Sequence, residues 1–433
     1  MAVTWAGVTA SLLALCNVWP RVNFFICFVC FLSFVSAAGD FSNYQSDGML
    51  LEAGFICLFF APRGMWPGWG ADHPPSRASL WLLRWEWFRI YFESGLVKEL
   101  SGDSQWRDFT AMDHYYQNSP LPTWIGWYVE HLPHWFHASS VVFTLVLELA
   151  IVWMLFFPRR VRLICFLIVT PWEIGVILTG NYAFLNYIVL ALGFLLLDDV
   201  YLRRCVAALP PWLVVRLGPT AFNSDYKLLR VVRIGISAFV LGWVGYVTTA
   251  KMVLMILPGP LLPMAPVQAL EPFRIANQYG LFAVMTRGRY EIEFQGSSDG
   301  QNWQVYPFRY KPQEVNERPG IYAPYQPRFD WNLWFASLGE WQQNDIVPFT
   351  EERLLMNDRD VLTLFRSNPF SASPPRFVRA VLWQYWFTSV AEKRSTGVWW
   401  RRKLLGLYAP TLARFEDGKF EITQPADQLP SHD

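Results

Sequence analysis

Residues 82 to 114 read LLRWEWFRIYFESGLVKELSGDSQWRDFTAMDH, and the part up to Leu100 decides the fold class. It is apolar and aromatic enough to enter a bilayer, yet it sets Arg84, Glu86, Arg89, Glu93 and Lys98 along one expected helix. A charged side chain at bilayer depth costs about 2.5–3.5 kcal/mol even on insertion scales. It persists there only if it faces a protein interior, pairs with an opposite charge, or takes part in chemistry.

The rest of the chain supplies the setting. Its 433 residues are 53% hydrophobic, 17% aromatic and 16% charged, too apolar for one soluble domain of that length. An integral membrane protein in contact with the lipid bilayer is expected. A net charge of +1 gives no electrostatic footprint for nucleic acid. Cys16, Cys27, Cys30, Cys57, Cys165 and Cys205 all lie in or beside hydrophobic runs, which argues against a disulfide scaffold.

Sorted by the roughly 17–25 residues a helix needs to cross hydrocarbon, the apolar runs predict about eight spans. They fall near residues 3–19, 22–38, 49–62, 79–97, 138–157, 162–179, 182–197 and 234–257. Basic residues collect at cytoplasmic span ends. Here Arg21, then Arg63 and Arg77, then Arg159, Arg160 and Arg162, then Arg203, Arg204, Arg216, Lys227, Arg230 and Arg233 occupy every second loop. That alternation puts residues 39–48, residues 98–137 and everything after Leu257 on the extracytoplasmic side.

The Pro-rich connector LPGPLLPMAP, residues 257–266, suits neither a helix nor a central strand. It divides a multi-span domain, residues 1–257, from a β-rich domain, residues 267–420, ahead of a polar tail, residues 421–433. Phe282–Met285 and YEIEF (Tyr290–Phe294) alternate as strands do, and SSDGQNW (297–303) supplies an Asp-Gly turn into QVYPFRY. Helical pieces are expected around Trp331–Leu338 and Glu351–Phe365, and a strand over Val378–Ser389. The expected fold is thus an α-helical polytopic membrane domain followed by an extracytoplasmic, sandwich-like α+β domain.

Candidate sites follow from residue type and spacing. Glu86, Arg89 and Glu93 share one helix face, and internal ion pairing is the natural outcome. Lys98, at the extracytoplasmic end, either snorkels to the interface or, desolvated, acts as a general base. Glu52, Glu148 and Glu173 stand as isolated acids within spans, and Asn181 and Asn186 flank Tyr182 in GNYAFLNY. HLPHWFH, residues 131–137, clusters histidines with His114 in the same loop, but Pro133 breaks the helix a metal site would need, so neither metal nor cofactor is expected. The second domain has no Cys and no His before His432, which excludes Ser-His, Cys-His and His-based zinc catalysis within it. It offers IYAPYQPRFDWNLWF (321–335) and WWRRK (399–403). These make either a Trp core capped by Arg or an interaction surface, with Tyr325, Trp331, Trp334, Trp399, Arg401 and Arg402 as the client-contacting candidates.

FESGLVKELSGDSQWRDFTAMDHYY, QNSPLPTWIGWYVEHLPHWFH, LTGNYAFLNYIVLALGFLLLDD, NQYGLFAVMTRGRYEIEFQGSSDGQNWQVYPFRYKP, PYQPRFDWNLWFASLG, NPFSASPPRFVRAVLWQYWFTS and WWRRKLLGLYAP occur in this order. Over most of its length the chain resembles the lipase maturation factors, polytopic endoplasmic reticulum proteins with bacterial relatives. The resemblance implies a membrane domain and a lumenal domain that helps exported proteins, dimeric lipases above all, to fold and assemble, without enzymatic activity of its own. The chain is expected to begin later than longer members do. With no Asn-X-Ser/Thr acceptor anywhere, the expected location is the endoplasmic reticulum membrane if the source is eukaryotic and the cytoplasmic membrane if bacterial. Separately, YFESGLVKELSGDSQW is similar to a segment of the vitamin K-dependent carboxylase type of membrane domain, where a lysine acts as base. That likeness implies an alternative: an intramembrane enzyme with Lys98 as base, Arg84 or Arg89 steering an anionic substrate, and His114 nearby.

Overall fold

The structure is a computed structural model; it describes every residue except 43, 68–73, 203–226, 258, 260, 416–418 and 430–433, with backbone only at 227–230. Each of the eight expected apolar runs overlaps a helix. These are α1 (Ala2–Leu15), α2 (Pro20–Ala37), α3 (Gln45–Phe60), α4 (Arg77–Leu100), α8 (His134–Leu149), α9 (Arg159–Thr179), α10 (Leu185–Gly193) and α11 (Lys227–Ile256). Short helices α5 (Ser104–Arg107), α6 (Tyr115–Asn118) and α7 (Trp124–Glu130) lie between α4 and α8. Local chemistry sets the helix starts: Pro20 opens α2, and the Ser76 hydroxyl accepts the Ser79 N–H at 3.1 Å to cap α4.

Among the described residues, four stretches are long and apolar enough to cross a membrane: Pro20–Ala37, His134–Phe156, Arg159–Thr179 and Val231–Ile256. Ala2–Leu15 and Leu185–Leu196 are apolar but shorter. Arg203, Arg204 and Arg216, with the side chains of Lys227 and Arg230, lie outside the described residues.

The chain forms two compact units, and their limits differ from those expected at the Pro-rich connector. The first holds Met1–Asp103, Val142–Ile174 and Leu185–Val284; the second holds Ser104–Val141, Gly175–Phe184 and Met285–Asp433. Residues just past the connector join the helical unit because their side chains are core: Val267, Leu270, Ile275, Ala276 and Tyr279 pack with Met49, Trp87, Ile90 and Val247. The segment between α4 and α8 joins the second unit through its own buried residues, Trp127 above all.

Among the described residues, the second unit is built on one six-stranded antiparallel sheet and not on the two sheets of a sandwich. Its strands are β1 (Arg289–Ser297), β2 (Gln304–Val305), β3 (Phe377–Phe387), β4 (Trp400–Leu407), β5 (Thr411–Arg414) and β6 (Phe420–Gln424). The order is β2-β1-β3-β5-β6, and β4 also pairs with β3. Ile292, Phe294, Val378, Ala380 and Leu382 are fully buried on one face, covered by the helices Arg328–Ala336 and Ile346–Leu355. The alternate residues of β1, Arg289, Glu291, Glu293 and Gln295, are buried too. Irregular chain carrying Lys311 and Gln313 covers that face, so no second sheet is needed.

Two expectations are corrected by backbone geometry. The segment from 421 onward is not simply a loose tail: β6 pairs with β5, and Asp427 bonds Leu407 through both its N–H and its carboxylate. Phe282–Met285 is not a strand, since Phe282 takes φ 57°, which no extended residue adopts. The Asp-Gly turn is present, with Asp299 Oδ1 accepting the N–H groups of Gln301 and Asn302, each at 2.8 Å, and Gly300 at φ +77°.

Candidate functional site

The deciding helix, α4, presents three faces, as about 3.6 residues per turn requires. One is aromatic. Trp81, Trp85, Phe88 and Phe92 stack in succession with ring centroids 5.4, 5.4 and 5.2 Å apart, and Trp153 and Phe156 pack edge-on against Phe88.

The second face holds Glu86, Arg89 and Glu93, all fully buried. The main partner of Arg89 is not on its own helix: its guanidinium pairs with Glu52 of α3, one of the acids that looked isolated in sequence. Glu93 stands 3.8 Å from Arg89 as the expected i,i+4 ion pair. What the cluster grips is main chain. Arg89 donates to Asn277 O at 2.6 Å, Glu52 accepts Asn277 N at 2.8 Å and the Tyr279 hydroxyl at 2.9 Å, and Glu93 accepts Tyr279 N at 2.6 Å. Gln45 completes the set, accepting Gly280 N at 2.8 Å and donating to Gly280 O at 3.0 Å. Non-helical backbone inside a helical bundle must have its polar groups met by protein, and here α3 and α4 meet them. Gly280 is required for the fit, because a Cβ there would lie 2.9 Å from Val97 Cγ1.

The third face carries Trp87, Tyr91 and Lys98. Lys98 donates to both carboxylate oxygens of Glu148 at 2.9 and 2.7 Å. Gly95 lets α8 approach that closely, since a Cβ would meet Glu148 Cβ at 2.8 Å. Tyr91 donates to Glu173 at 2.5 Å, and Asn186 donates to the other oxygen of Glu173 at 2.6 Å. A small cavity beside Glu173, lined also by Trp87, Tyr91 and Val189, has room for about one water and none for a quinone ring.

Arg84, Arg89 and Lys98, the residues of the enzyme alternative on α4, therefore do not share one site. Nine residues separate Arg89 from Lys98, about 900° of helix, which puts them on opposite faces. Arg84 donates instead to Leu195 O at 2.7 Å. His114 belongs to the second unit, 3.7 Å from Glu130, whose carboxylate holds the imidazole above its usual range.

In the second unit the client candidates divide by exposure. Trp331, Trp334 and Trp399 are core residues, only 8–9% exposed. Trp399 packs edge-on to Trp127 at 5.4 Å beneath the Lys393 ammonium at 3.9 Å. Tyr325 is 58% exposed. Arg401 is open and paired with Glu392, while Arg402 lies over the Trp383 ring at 4.3 Å and donates to Gln313 O at 2.9 Å. A WWRRK run reads equally well as core or surface, and alternation along β4 makes it both.

Two anchors in this unit serve roles the sequence did not show: Arg289 gave no signal of its own, and Asn181 stood out only as a neighbour of Tyr182. Arg289 pairs with Glu291, which Lys311 also meets at 2.7 Å, and it donates to Gln117 O at 2.9 Å and Ser119 O at 2.5 Å. Asn181 uses its whole amide: Nδ2 donates to Leu121 O and Gly320 O, each at 3.0 Å, and Oδ1 accepts Tyr322 N at 2.7 Å and Ala323 N at 3.1 Å. Both fasten short inter-helix segments to the sheet-bearing chain.

The regions so anchored are those that known families share. Residues 1–204 match the lipase maturation factor transmembrane domain, and residues 275–410 match the lipase maturation factor C-terminal domain. The chain belongs to the lipase maturation factor family. It is 31% identical to lipase maturation factor 2 of Gallus gallus, over 86% of this chain and 65% of that protein. It is 29% identical to lipase maturation factor 1 of Bos taurus, over 95% and 77%, and 30% identical to lipase maturation factor 1 of Mus musculus, over 86% and 67%. The chain thus spans about two thirds of the length of several of these relatives. No solved structure matches it. The NQYGL segment gripped by Arg89, Glu52 and Glu93 opens the C-terminal family region, so the charge cluster holds residues of one family domain within a helical unit made mostly of the other.

Proposed function

We propose that this membrane protein of the lipase maturation factor family assists the folding and assembly of exported proteins, lipases foremost, and that its second unit handles the client. The observation carrying this reading is that both family domains, transmembrane and C-terminal, match in order across one chain. In this reading all eight helices cross the bilayer, α3 and α4 tolerated because their charges face protein partners. Residues after Leu257 then lie outside the cytoplasm, in the lumen of the endoplasmic reticulum or beyond a bacterial cytoplasmic membrane. Of the six candidates, Tyr325, Arg401 and Arg402 remain as client contacts on the surface, with Trp331, Trp334 and Trp399 as their support. Nothing favours the carboxylase-related enzyme: Lys98 is held by Glu148 and the adjoining cavity is water-sized.

The test is complementation. In cells lacking their own maturation factor, the full chain should restore secretion of an active dimeric lipase. No restoration from folded, membrane-inserted protein overturns the reading. An Asn-X-Thr acceptor engineered into the exposed turn at residues 299–302 reports topology, and absence of glycosylation in microsomes overturns the lumenal placement.

A further inference from the structure

The open edge of β4 is the most specific unassigned surface in the second unit. Pairing of β4 with β3 matches Trp386 with Arg401, Gln384 with Lys403 and Tyr385 with Arg402. Thr388 N bonds Trp399 O, so by antiparallel alternation Arg401 and Lys403 turn their main chain toward β3, while Trp400, Arg402 and Leu404 turn theirs outward. Each end of this outward row is closed. Trp400 N donates to Val315 O at 3.0 Å, and Leu407 N donates to Asp427 Oδ2 at 2.7 Å. Between these closures the outward N–H and C=O groups of Arg402 and Leu404 meet no partner among the described residues. A short window of edge is left, about 15 Å long at strand spacing.

Basic side chains predominate around this window. Arg401 and Lys403 are exposed, and the nearby acids are engaged, Glu392 by Arg401 and Asp427 by Leu407. On the opposite face of the strand Leu404 is 48% exposed. A row of like charges keeps two such edges from pairing with each other. It also sets the chemistry of what does pair.

We propose that the β4 edge is a strand-addition site for a short extended segment of a client polypeptide in which acidic and apolar residues alternate. The acidic side chains meet Arg401 and Lys403, the apolar ones meet Leu404, and the main chain bonds Arg402 and Leu404. The proposal rests on the client-handling reading of the second unit and specifies where and how that unit binds.

The probe is a fluorescent peptide with an alternating Glu-Val core, titrated by anisotropy against the full chain in detergent. Saturable binding is expected, weakened at least tenfold by K403E together with R401E. The same double variant should gain affinity for an alternating Lys-Val peptide. Methylating alternate peptide nitrogens, which removes main-chain donors and leaves side chains intact, should abolish binding in one register and spare it in the other. Equal binding by both N-methyl registers, or unchanged binding by a folded double charge-reversal variant, overturns the proposal. If the peptide fails to bind while the chain still restores lipase secretion, the edge proposal falls and the client-handling reading stands; loss of both results marks failure of that reading instead.

Discussion

Two buried charged rows, one on α4 and one on β1, show how differently a helix and a strand dispose of the same problem. On α4, Glu86 and Glu93 share a face with a single Arg89, and Glu52 adds a third acid; the surplus of acceptors is used on the N–H groups of Asn277 and Tyr279. On β1, Arg289, Glu291 and Glu293 meet Lys311 and Arg402, so cations and anions nearly balance, and the surplus donors of Arg289 go to carbonyls of residues 117–120. In both rows the charges hold irregular backbone that could not otherwise be buried. The acidic row holds amides and the basic residue holds carbonyls.

Substitutions can break this comparison in order of size. The largest effect is expected for Arg89→Met, which leaves Glu52 and Glu93 buried without their cation and should cost about 3–5 kcal/mol, read as lost thermal stability in detergent. Lys98→Met should cost a similar amount by stranding Glu148, yet Lys98→Met with Glu148→Leu should recover to within about 1 kcal/mol of the parent, since an ion pair replaced by apolar side chains is often neutral. If the double variant is stable and still supports lipase secretion, Lys98 is a packing residue; stable but inactive protein would revive a chemical role. Trp399→Ala should cost about 3–5 kcal/mol as a core truncation, whereas Tyr325→Ala should stay within about 0.5 kcal/mol. Comparable losses by chemical unfolding would refute the division into core and surface. Arg289→Met should cost less than Arg89→Met, about 1.5–3 kcal/mol, because Lys311 still neutralises Glu291.

The smallest effect is a slope. Burial pushes the Asp330 carboxyl up to about 6 against the Lys311 N–H that it accepts at 3.0 Å. A raised folded value means the folded state holds the proton more tightly. Its stabilising contribution is complete below about pH 4 and is lost as pH rises to about 6, at no more than about 1.4 kcal/mol per pH unit. Asp330→Asn should flatten that part of the stability profile. An unchanged slope would show that Asp330 is ionised throughout.

Much of the helical unit was legible in the sequence because apolar length and helical spacing are local properties. The eight runs and the face shared by Glu86, Arg89 and Glu93 follow from near neighbours. Even the separation of Lys98 from Arg89 is contained in their nine-residue spacing. The partners were not legible. Glu52 and Asn277 reach Arg89 from far along the chain, and Glu148 meets Lys98 only because Gly95 admits α8. In the second unit YEIEF announced a strand, but period-two alternation cannot say that irregular chain covers its polar face. The same limit hid the burial of Trp331, Trp334 and Trp399, and the pairing that draws Phe420–Gln424 into the sheet.

Asn181 makes the hold on its segment depend on the identity of one atom. Two donors and two acceptances are all that a side-chain amide can usefully direct at four backbone groups, and all are used. Hydrolytic deamidation would turn Nδ2 into a second carboxylate oxygen facing the Leu121 and Gly320 carbonyls, replacing two attractions with two repulsions through the loss of one nitrogen. The same exchange made as Asn181→Asp would loosen the 175–184 segment from the rest of its unit.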